Sequence, residues 1–376
     1  GGDGQAGSAP ASSGSAGSGG SFGSAGFNGQ VVSNAGNGGR GGNGGRGGFG
    51  GAGGTSIAGA SGAGGAGGTV KLFGSVLDAS DITVDASGGA GGSSGGAAAA
   101  AALGMGALHI GTDGGGSIRM PSAFTGIFGI KPSFGRVPAW PGSVFGSLAH
   151  IGPMTRTVAD AALMLNVITG PDARDWTALP PNGQDYSVRL DSGVEGLRIA
   201  SSPALGYAKV DPEIAALVET AKDILIGHGA VVEQVDPGFT DPAETFRRHW
   251  FSAAAYMINS LPDDQKALVD PGLQEIAAEG ADITMAQYME AVSARNALGE
   301  TMSRFLDRYD LLLTPTLPLP AFKAGQEVPY TREYPRWTNW QPFTFPFNLT
   351  QHPAASVPCG FTSDGLPAGM QIIGAK

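Results

Sequence analysis

Two serines set among glycines are the residues best suited to chemistry. Ser117 directly follows Gly114, Gly115 and Gly116 in the run GTDGGGSIR. Glycines adopt backbone torsions closed to other residues, so successive N–H groups can point at one spot and form a nest that binds an oxyanion. When an acyl carbonyl is attacked, one such donor lowers the barrier by roughly 3 kcal/mol. We therefore expect Ser117 to be an acyl nucleophile and the three glycines to form an oxyanion hole.

Ser93, in the run GGSSGG, is the second glycine-embedded serine. A serine hydroxyl is a weak nucleophile until a neighbouring group takes its proton, so Ser93 is a candidate proton relay. The same run also fits the G-x-S-x-G elbow of α/β-hydrolases, which would make Ser93 itself the nucleophile. None of the five histidines lies in a motif that would complete that alternative.

The stretch GGSSGGAAAAAALGMGALHIGTDGGGSIRMPSAFTGIFGIKPSFGRVP closely resembles the amidase signature family. The similarity continues, more loosely, through GPMTRTVADAALML, YDLLLTPTLP and FNLTQHPAASVPCGF to GLPAGMQIIG. The resemblance implies an α/β fold with one large mixed sheet covered by helices. It also implies hydrolysis of a linear carboxamide through a serine acyl-enzyme, without a metal or an organic cofactor.

The resemblance also implies roles for residues around the two serines. Ser117 matches the family's nucleophile, and Ser93 matches its bridging serine, which the family holds on a cis peptide. The N–H groups of residues 114–117 match the oxyanion hole. Four further residues match supporting positions around this loop: Ser94, Thr112, Asp113 and Arg119.

The third member of the family's triad is a lysine, which accepts the proton from the bridging serine. In the family it lies several dozen residues before the Gly-Ser-Ser run, on a strand that ends in Val-Lys-Asp. Here Lys71 is the only lysine before Lys131, and no Asp follows it. The resemblance therefore leaves the base unassigned, and we expect weak or absent turnover from this polypeptide.

The chain divides into three segments. Residues 1–68 are a glycine-rich, low-complexity segment, and more than half of the 65 glycines lie in the first 100 residues. Such a composition buries too little apolar surface to offset chain entropy, so we expect disorder there. Residues 69–90 alternate apolar and polar side chains like strands of a β-rich adhesin. Residues 91–376 form the predicted amidase domain, without the family's N-terminal part and C-terminal end, and we expect a join of two sources near residue 90.

Composition limits the partners. The formal net charge of -10 argues against nucleic acid and anionic membranes, although two Arg-Gly-Gly elements resemble RNA-binding segments. One cysteine allows no internal disulfide and suggests no zinc site. No apolar run is long enough to span a bilayer, and no signal peptide is visible. We expect a small-molecule amide as the ligand and the cytoplasm as the location, and a homo-oligomer stays open.

Local patterns predict the elements that position the two serines. A helix is expected over residues 97–102 and a short strand over 107–111, leading into the nest. A second helix follows a cap at Thr155 or Thr157, with Val158, Ala161, Ala162, Leu165 and Ile168 on its apolar face. Residues 197–201, 211–227 and 230–235 read as strand, helix and strand, hence a parallel pair, and residues 311–313 as a buried strand.

Substrate choice is less well specified. An aromatic segment could line an acyl pocket, but core packing is the more common role for such residues; it comprises Trp337, Trp340, Phe343, Phe345 and Phe347. Met120 follows Arg119 where the glutamine-using tRNA amidotransferase subunits of the family commonly carry Gln, which favours a stand-alone amidase. The alternatives are the glutaminase subunit of a tRNA amidotransferase and a non-enzymatic glycine-rich surface protein with an inactive amidase passenger.

Overall fold

The computed structural model describes residues 94–376, except 324–325, 327, 330, 332–333, 335 and 337. The predictions for Ser93, Lys71, Trp337 and the segments 1–68 and 69–90 lie outside these residues. The junction that we expect near residue 90 lies outside them as well.

One mixed sheet of eight strands forms the centre of the described fold. Its spatial order is β1-β3-β2-β7-β8-β6-β4-β5. β4 pairs in parallel with β5 and β6, and the other neighbours are antiparallel. The strands are β1 (Leu108–Asp113), β2 (Phe128–Lys131), β3 (His150–Thr155), β4 (Arg198–Ser201), β5 (Val231–Gln234), β6 (Leu311–Pro315), β7 (Ala354–Phe361) and β8 (Pro367–Gly374). The predicted mixed α/β architecture is confirmed.

Helices cover this sheet and carry much of the apolar core. They are α1 (Gly95–Ala102), α2 (Arg119–Thr125), α3 (Val158–Ile168), α4 (Pro212–Gly227), α5 (Ala243–Asn259), α6 (Asp263–Lys266), α7 (Pro271–Ala281), α8 (Met285–Leu306) and α9 (Phe345–Leu349). None of these described helices is both long and apolar enough to cross a membrane.

The strand, helix, strand unit β4-α4-β5 confirms the predicted parallel pair. Asp211 caps α4 by accepting a hydrogen bond from the backbone N–H of Glu213, and Pro212 occupies the first turn. Pro suits this position because its missing N–H would have no intrahelical acceptor there. β6 lies on the other side of β4, so the predicted strand at residues 311–313 is also confirmed.

α3 begins as predicted but presents a narrower buried face. The Thr157 side chain accepts a hydrogen bond from the Asp160 N–H, so Thr157 rather than Thr155 is the cap. Ala161, Ala162 and Leu165 are buried. The prediction that Val158 lies on the buried face is wrong: its side chain is 47% exposed, because it is the first residue of the helix.

The predicted aromatic segment packs into the core. Trp340, Phe343, Phe345 and Phe347 are each at most 1% exposed. They are divided among three apolar clusters, with Phe345 packed under α5 and Phe347 near α8. This agrees with the core-packing interpretation.

Candidate active site

The glycine run joins β1 to α2 and forms a tight turn against two aromatic rings. A Cβ on Gly114 would lie 2.6 Å from the Trp250 ring, and one on Gly115 would lie 2.8 Å from the Phe246 ring. Gly116 has a φ of +137°, a conformation that side chains rarely adopt. Only glycines fit this turn, because any side chain would collide with the aromatic residues of α5 or strain the backbone.

The backbone donors of this turn have no acceptor inside the described structure. The N–H groups of Gly114, Gly115, Gly116 and Ser117 donate no hydrogen bond to a described residue, whereas the next N–H, of Ile118, donates to Asp113 Oδ2 over 3.3 Å. The three glycines are buried and Ser117 is partly buried. Buried N–H groups are normally paired, so four consecutive donors without a described partner favour an anionic or carbonyl ligand.

A buried ion pair between Asp113 and Arg119 fixes the two ends of the glycine turn. Arg119 donates from Nε to Asp113 Oδ2 at 2.9 Å and from Nη2 to Asp113 Oδ1 at 2.8 Å. Both side chains are fully buried. This bidentate geometry joins the end of β1 to the start of α2 on either side of the glycines, which fixes the path of the turn. Asp113 and Arg119, which the sequence analysis names as supporting residues, thus lie on either side of the glycine run.

Arg119 also connects the turn to the C-terminal part of the chain. Its Nη1 donates to Thr344 O at 2.9 Å and to Gln371 Oε1 at 2.7 Å, and its Nη2 donates to Asn348 Oδ1 at 2.6 Å. Thr344 Oγ1 in turn donates to Gly115 O at 2.6 Å. Sequence reasoning missed Thr344, Asn348 and Gln371 as site residues, although all three lie in or beside the family-like runs near the C-terminus.

The ion pair keeps the Asp113 carboxylate charged in spite of its burial. Desolvation acts to raise its pKa, but the charge and hydrogen bonds of Arg119, the charge of Lys131 and the Asn348 amide together lower that pKa far below its ordinary value. Asp113 is therefore an ionised acceptor at any physiological pH and is unsuited to proton transfer.

Ser94 ties the start of α1 to the turn. Its N–H donates to Ser117 O at 2.9 Å, and its Oγ accepts from the Thr112 N–H at 3.0 Å. The structure thus brings together Ser94, Thr112 and Ser117. Ser93, the chain neighbour of Ser94, lies outside the described residues.

Lys131, the first lysine among the described residues, is hydrogen-bonded inside the core. Lys131 is fully buried, and its Nζ donates to His352 O at 2.5 Å and to Pro132 O at 3.3 Å. Burial, and secondarily the charge of Arg119, lowers its pKa well below the ordinary value, while Asp113 opposes that change. Its recorded hydrogen bonds go to these two carbonyls, which makes it a structural residue beside the site. Lys71 lies outside the described residues.

The described residues contain no group of three or more His, Cys, Asp or Glu side chains placed to hold a metal ion.

Comparison with known proteins identifies the family of this chain. The family model named Amidase matches residues 74–376, which is most of the chain. The chain belongs to the amidase signature family. The match begins upstream of Gly91 and therefore takes in part of the segment 69–90.

Individual relatives include enzymes of two kinds. The chain is 36% identical to an acylamidase of Rhodococcus erythropolis over 278 residues, which cover 72% of the chain and 58% of that relative. It is 37% identical over 298 residues to a glutamyl-tRNA(Gln) amidotransferase subunit of Myxococcus xanthus, covering 70% and 59% respectively. The amidase signature chain thus spans about three fifths of the length of these curated relatives.

A solved structure shares the fold. A bacterial aryl acylamidase of the amidase signature family superimposes with a TM-score of 0.66 at 35% identity, covering 76% of this chain and 62% of that one. The family and the mixed sheet that the sequence predicted are both confirmed.

Proposed function

We propose that the native parent of this amidase signature domain hydrolyses a carboxamide through a serine acyl-enzyme, and that this polypeptide, in which the lysine base is unassigned, turns over weakly or not at all. Ser117 attacks the carbonyl carbon, and the N–H groups of residues 114–117 bind the oxygen as it becomes negative. Ser93 takes the Ser117 proton while it passes its own hydroxyl proton to a lysine, and the same relay later returns a proton to the leaving amine. Water then attacks the acyl-enzyme and releases the acid, so that one C–N bond is broken and one C–O bond is formed.

The observation that carries this proposal is the set of four consecutive N–H donors without an acceptor among the described residues. Oxyanion holes need donors that are fixed before the reaction, because donors that must reorganise lose much of their stabilising effect. Here the glycines are held by Trp250 and Phe246 on one side and by Thr344 on the other. The nucleophile at the end of the donors is partly exposed, so a ligand can reach it.

The position of Ser93 next to Ser94 in the chain supports its role as the proton relay. Ser94 N–H donates to Ser117 O, and Ser93 directly precedes Ser94 in the chain. The lysine that would accept the proton stays a prediction, with Lys71 as its candidate. The cytoplasmic location and the small-molecule amide ligand are likewise part of this proposal, and a homo-oligomer is compatible with it.

A fluorophosphonate serine probe tests the proposal, because covalent labelling needs an activated nucleophile but not a complete catalytic cycle. We expect intact mass spectrometry to show one adduct, which is lost in Ser117→Ala and retained in Ser303→Ala, an exposed serine of α8. Loss of labelling in a folded Lys71→Ala chain would assign the base. A folded wild-type chain that stays unlabelled would show that the proposed nucleophile is inactive.

A second candidate function is the glutaminase subunit of a tRNA amidotransferase, which the 37% identity to the Myxococcus xanthus protein favours. Against it, Met120 is buried beside Phe124 and Trp340, where the glutamine-using subunits commonly carry Gln. Release of ammonia from glutamine, together with stable co-purification of a partner subunit, would support this second candidate. Hydrolysis of an aryl amide but not of glutamine would support the stand-alone amidase.

A further inference from the structure

Gln341 is a fully buried carboxamide without a hydrogen-bonding partner among the described residues. Its side chain is 0% exposed, and neither Nε2 nor Oε1 is paired. Gln371, also fully buried, is satisfied: its Oε1 accepts from Arg119, and its Nε2 donates to Thr314 Oγ1 and Phe343 O. Buried side-chain amides are normally hydrogen-bonded, so the unpaired amide of Gln341 is unusual.

The unpaired amide lies beside the proposed oxyanion hole. Its Oε1 is 3.7 Å from the position that a Cβ on Gly115 would occupy. Gly115 is the middle glycine of the turn, so the Gln341 amide packs against the turn that bears the N–H donors. No other glycine of the turn has Gln341 among its three nearest neighbours.

The backbone around Gln341 is held independently of its side chain. Gln341 O accepts from the Thr344 N–H at 3.2 Å and from Thr344 Oγ1 at 3.3 Å. The next carbonyl, of Pro342, accepts from the Tyr207 hydroxyl at 2.9 Å. The segment is therefore fixed by main-chain contacts, and the side-chain amide is left to bind something else.

We propose that Gln341 is a specificity-determining residue that binds a second, uncharged polar group on the substrate. This inference rests on the proposed function, which places the reacting carbonyl at residues 114–117. A carboxamide offers one acceptor and two donors, so its best complement is a neutral group that both donates and accepts, such as another carboxamide. A charged group is disfavoured, because a neutral amide supplies no counter-charge in a buried site.

A ligand-binding role for Gln341 predicts how its substitution changes the melting temperature of the free protein. If Gln341 served the fold, its replacement by an apolar residue would destabilise the chain. If it serves a ligand, Gln341→Leu removes an unpaired buried amide, and the melting temperature of the free protein stays the same or rises. Gln341→Met keeps the length of the side chain, so it controls for a packing defect that the shorter Leu side chain could introduce.

Ligand preference is measured by competition against fluorophosphonate labelling of Ser117. The probes are the meta and para isomers of acetamidobenzamide and the matched methylacetanilides, in which a methyl group replaces the carboxamide. We expect the wild-type chain to be protected at about tenfold lower concentration by at least one acetamidobenzamide than by its methyl counterpart. Gln341→Leu and Gln341→Met should lose that preference, whereas Gln184→Leu, on an exposed loop, should keep it.

The outcomes distinguish failure of the specificity role of Gln341 from failure of the proposed function. An equal preference in wild type and both Gln341 variants, with Ser117 still labelled, would overturn the specificity role and leave the proposed function intact. A lower melting temperature in both variants would likewise overturn it and make Gln341 a structural residue. Absence of Ser117 labelling in the folded wild-type chain would instead contradict the proposed function.

Discussion

The side-chain amide of Asn348 holds Asp113 by two hydrogen bonds of 2.9 Å, one to the backbone oxygen and one to Oδ1. The same nitrogen donates to Leu148 O at 3.1 Å. Asp113 is the last residue of β1, so Asn348 in α9 determines where the glycine turn begins. The carboxylate thus joins β1, α2 and α9 at one buried point, from which the proposed oxyanion donors extend.

We predict that Asp113→Asn destabilises the chain by about 3–5 kcal/mol, because it leaves the buried Arg119 guanidinium without a counter-charge. The free energy of unfolding from urea denaturation measures this change. The matched control is Asp172→Asn, which breaks an ion pair with Arg174 on the surface. That substitution should cost far less, because water screens exposed ion pairs. Equal losses in the two variants would show that the buried pair does not hold the site together.

We predict that Gly116→Ala abolishes labelling of Ser117. An added Cβ would lie 2.5 Å from Thr344 Oγ1, and the residue would have to keep a φ of +137°. The turn must then move, and the N–H groups would no longer point at one spot. Gly142→Ala is the control, because a Cβ there meets nothing within 4 Å. Unchanged labelling of Ser117 in Gly116→Ala, measured by intact mass, would argue against the nest.

Thr344 allows a subtler test of the same turn. Thr344→Val keeps the shape of the side chain but removes the hydroxyl that donates to Gly115 O. We expect a loss of about 1–3 kcal/mol in the free energy of unfolding and a slower rate of Ser117 labelling, because the buried carbonyl loses its donor. Thr125→Val also removes a hydroxyl that donates to a carbonyl, that of Pro121, but within α2. That variant should label at the wild-type rate, and a similar slowing in both would point to general loosening of the fold.

Local sequence predicted the elements around the site better than their contacts. The helix predicted over residues 97–102 and the strand predicted over 107–111 correspond to α1 and β1, whereas α2 was not predicted. The helix predicted over residues 211–227 also depends on local signals, because Asp211 caps its first turn. By contrast, Arg119 meets Thr344, Asn348 and Gln371 across 225 to 252 residues of sequence. Nothing in their local pattern shows that pairing, because it depends on how the sheet is ordered.

The same limit explains the error at Val158 and the missed residue Gln341. Apolar periodicity groups Val158 with the buried side chains of α3, but its exposure of 47% depends on the tertiary structure. Gln341 lies inside an aromatic run, and its type alone predicts exposure. Its burial without a described partner is a property of the packed site, which the sequence could not show.

His249 gives a pH-dependent prediction. It lies in α5, is 7% exposed, and its Nε2 has no hydrogen-bonding partner among the described residues. Burial, and then the charge of Arg295, lowers its pKa from 6.5 to about 4, against a hydrogen bond to the Ala291 backbone that acts to raise it. Between these two pKa values the unfolded chain binds more protons than the folded one, so stability increases with pH across this window.

The stability of the wild-type chain is therefore expected to fall as the pH falls. As pH falls from 7 to 4.5, protonation of the unfolded state at this one site removes about 2 kcal/mol of stability from the wild-type chain. Asp113 does not contribute in that window, because its pKa is lowered and its stabilisation is lost only near and below the ordinary carboxyl pKa of 3.8. His150 and His352 also have lowered pKa values, so they too make the stability of the chain fall as the pH falls. The contribution of His249 is therefore obtained from the difference in unfolding free energy between wild type and variant.

We therefore predict that His249→Gln flattens the dependence of unfolding free energy on pH between 4.5 and 7, because Gln has no proton to gain. Urea denaturation at several pH values measures the slope. Gln184→Leu, on an exposed loop and without a titrating group, should give a curve parallel to that of the wild type. If the His249→Gln curve is also parallel, the folded chain already accepts the proton at His249.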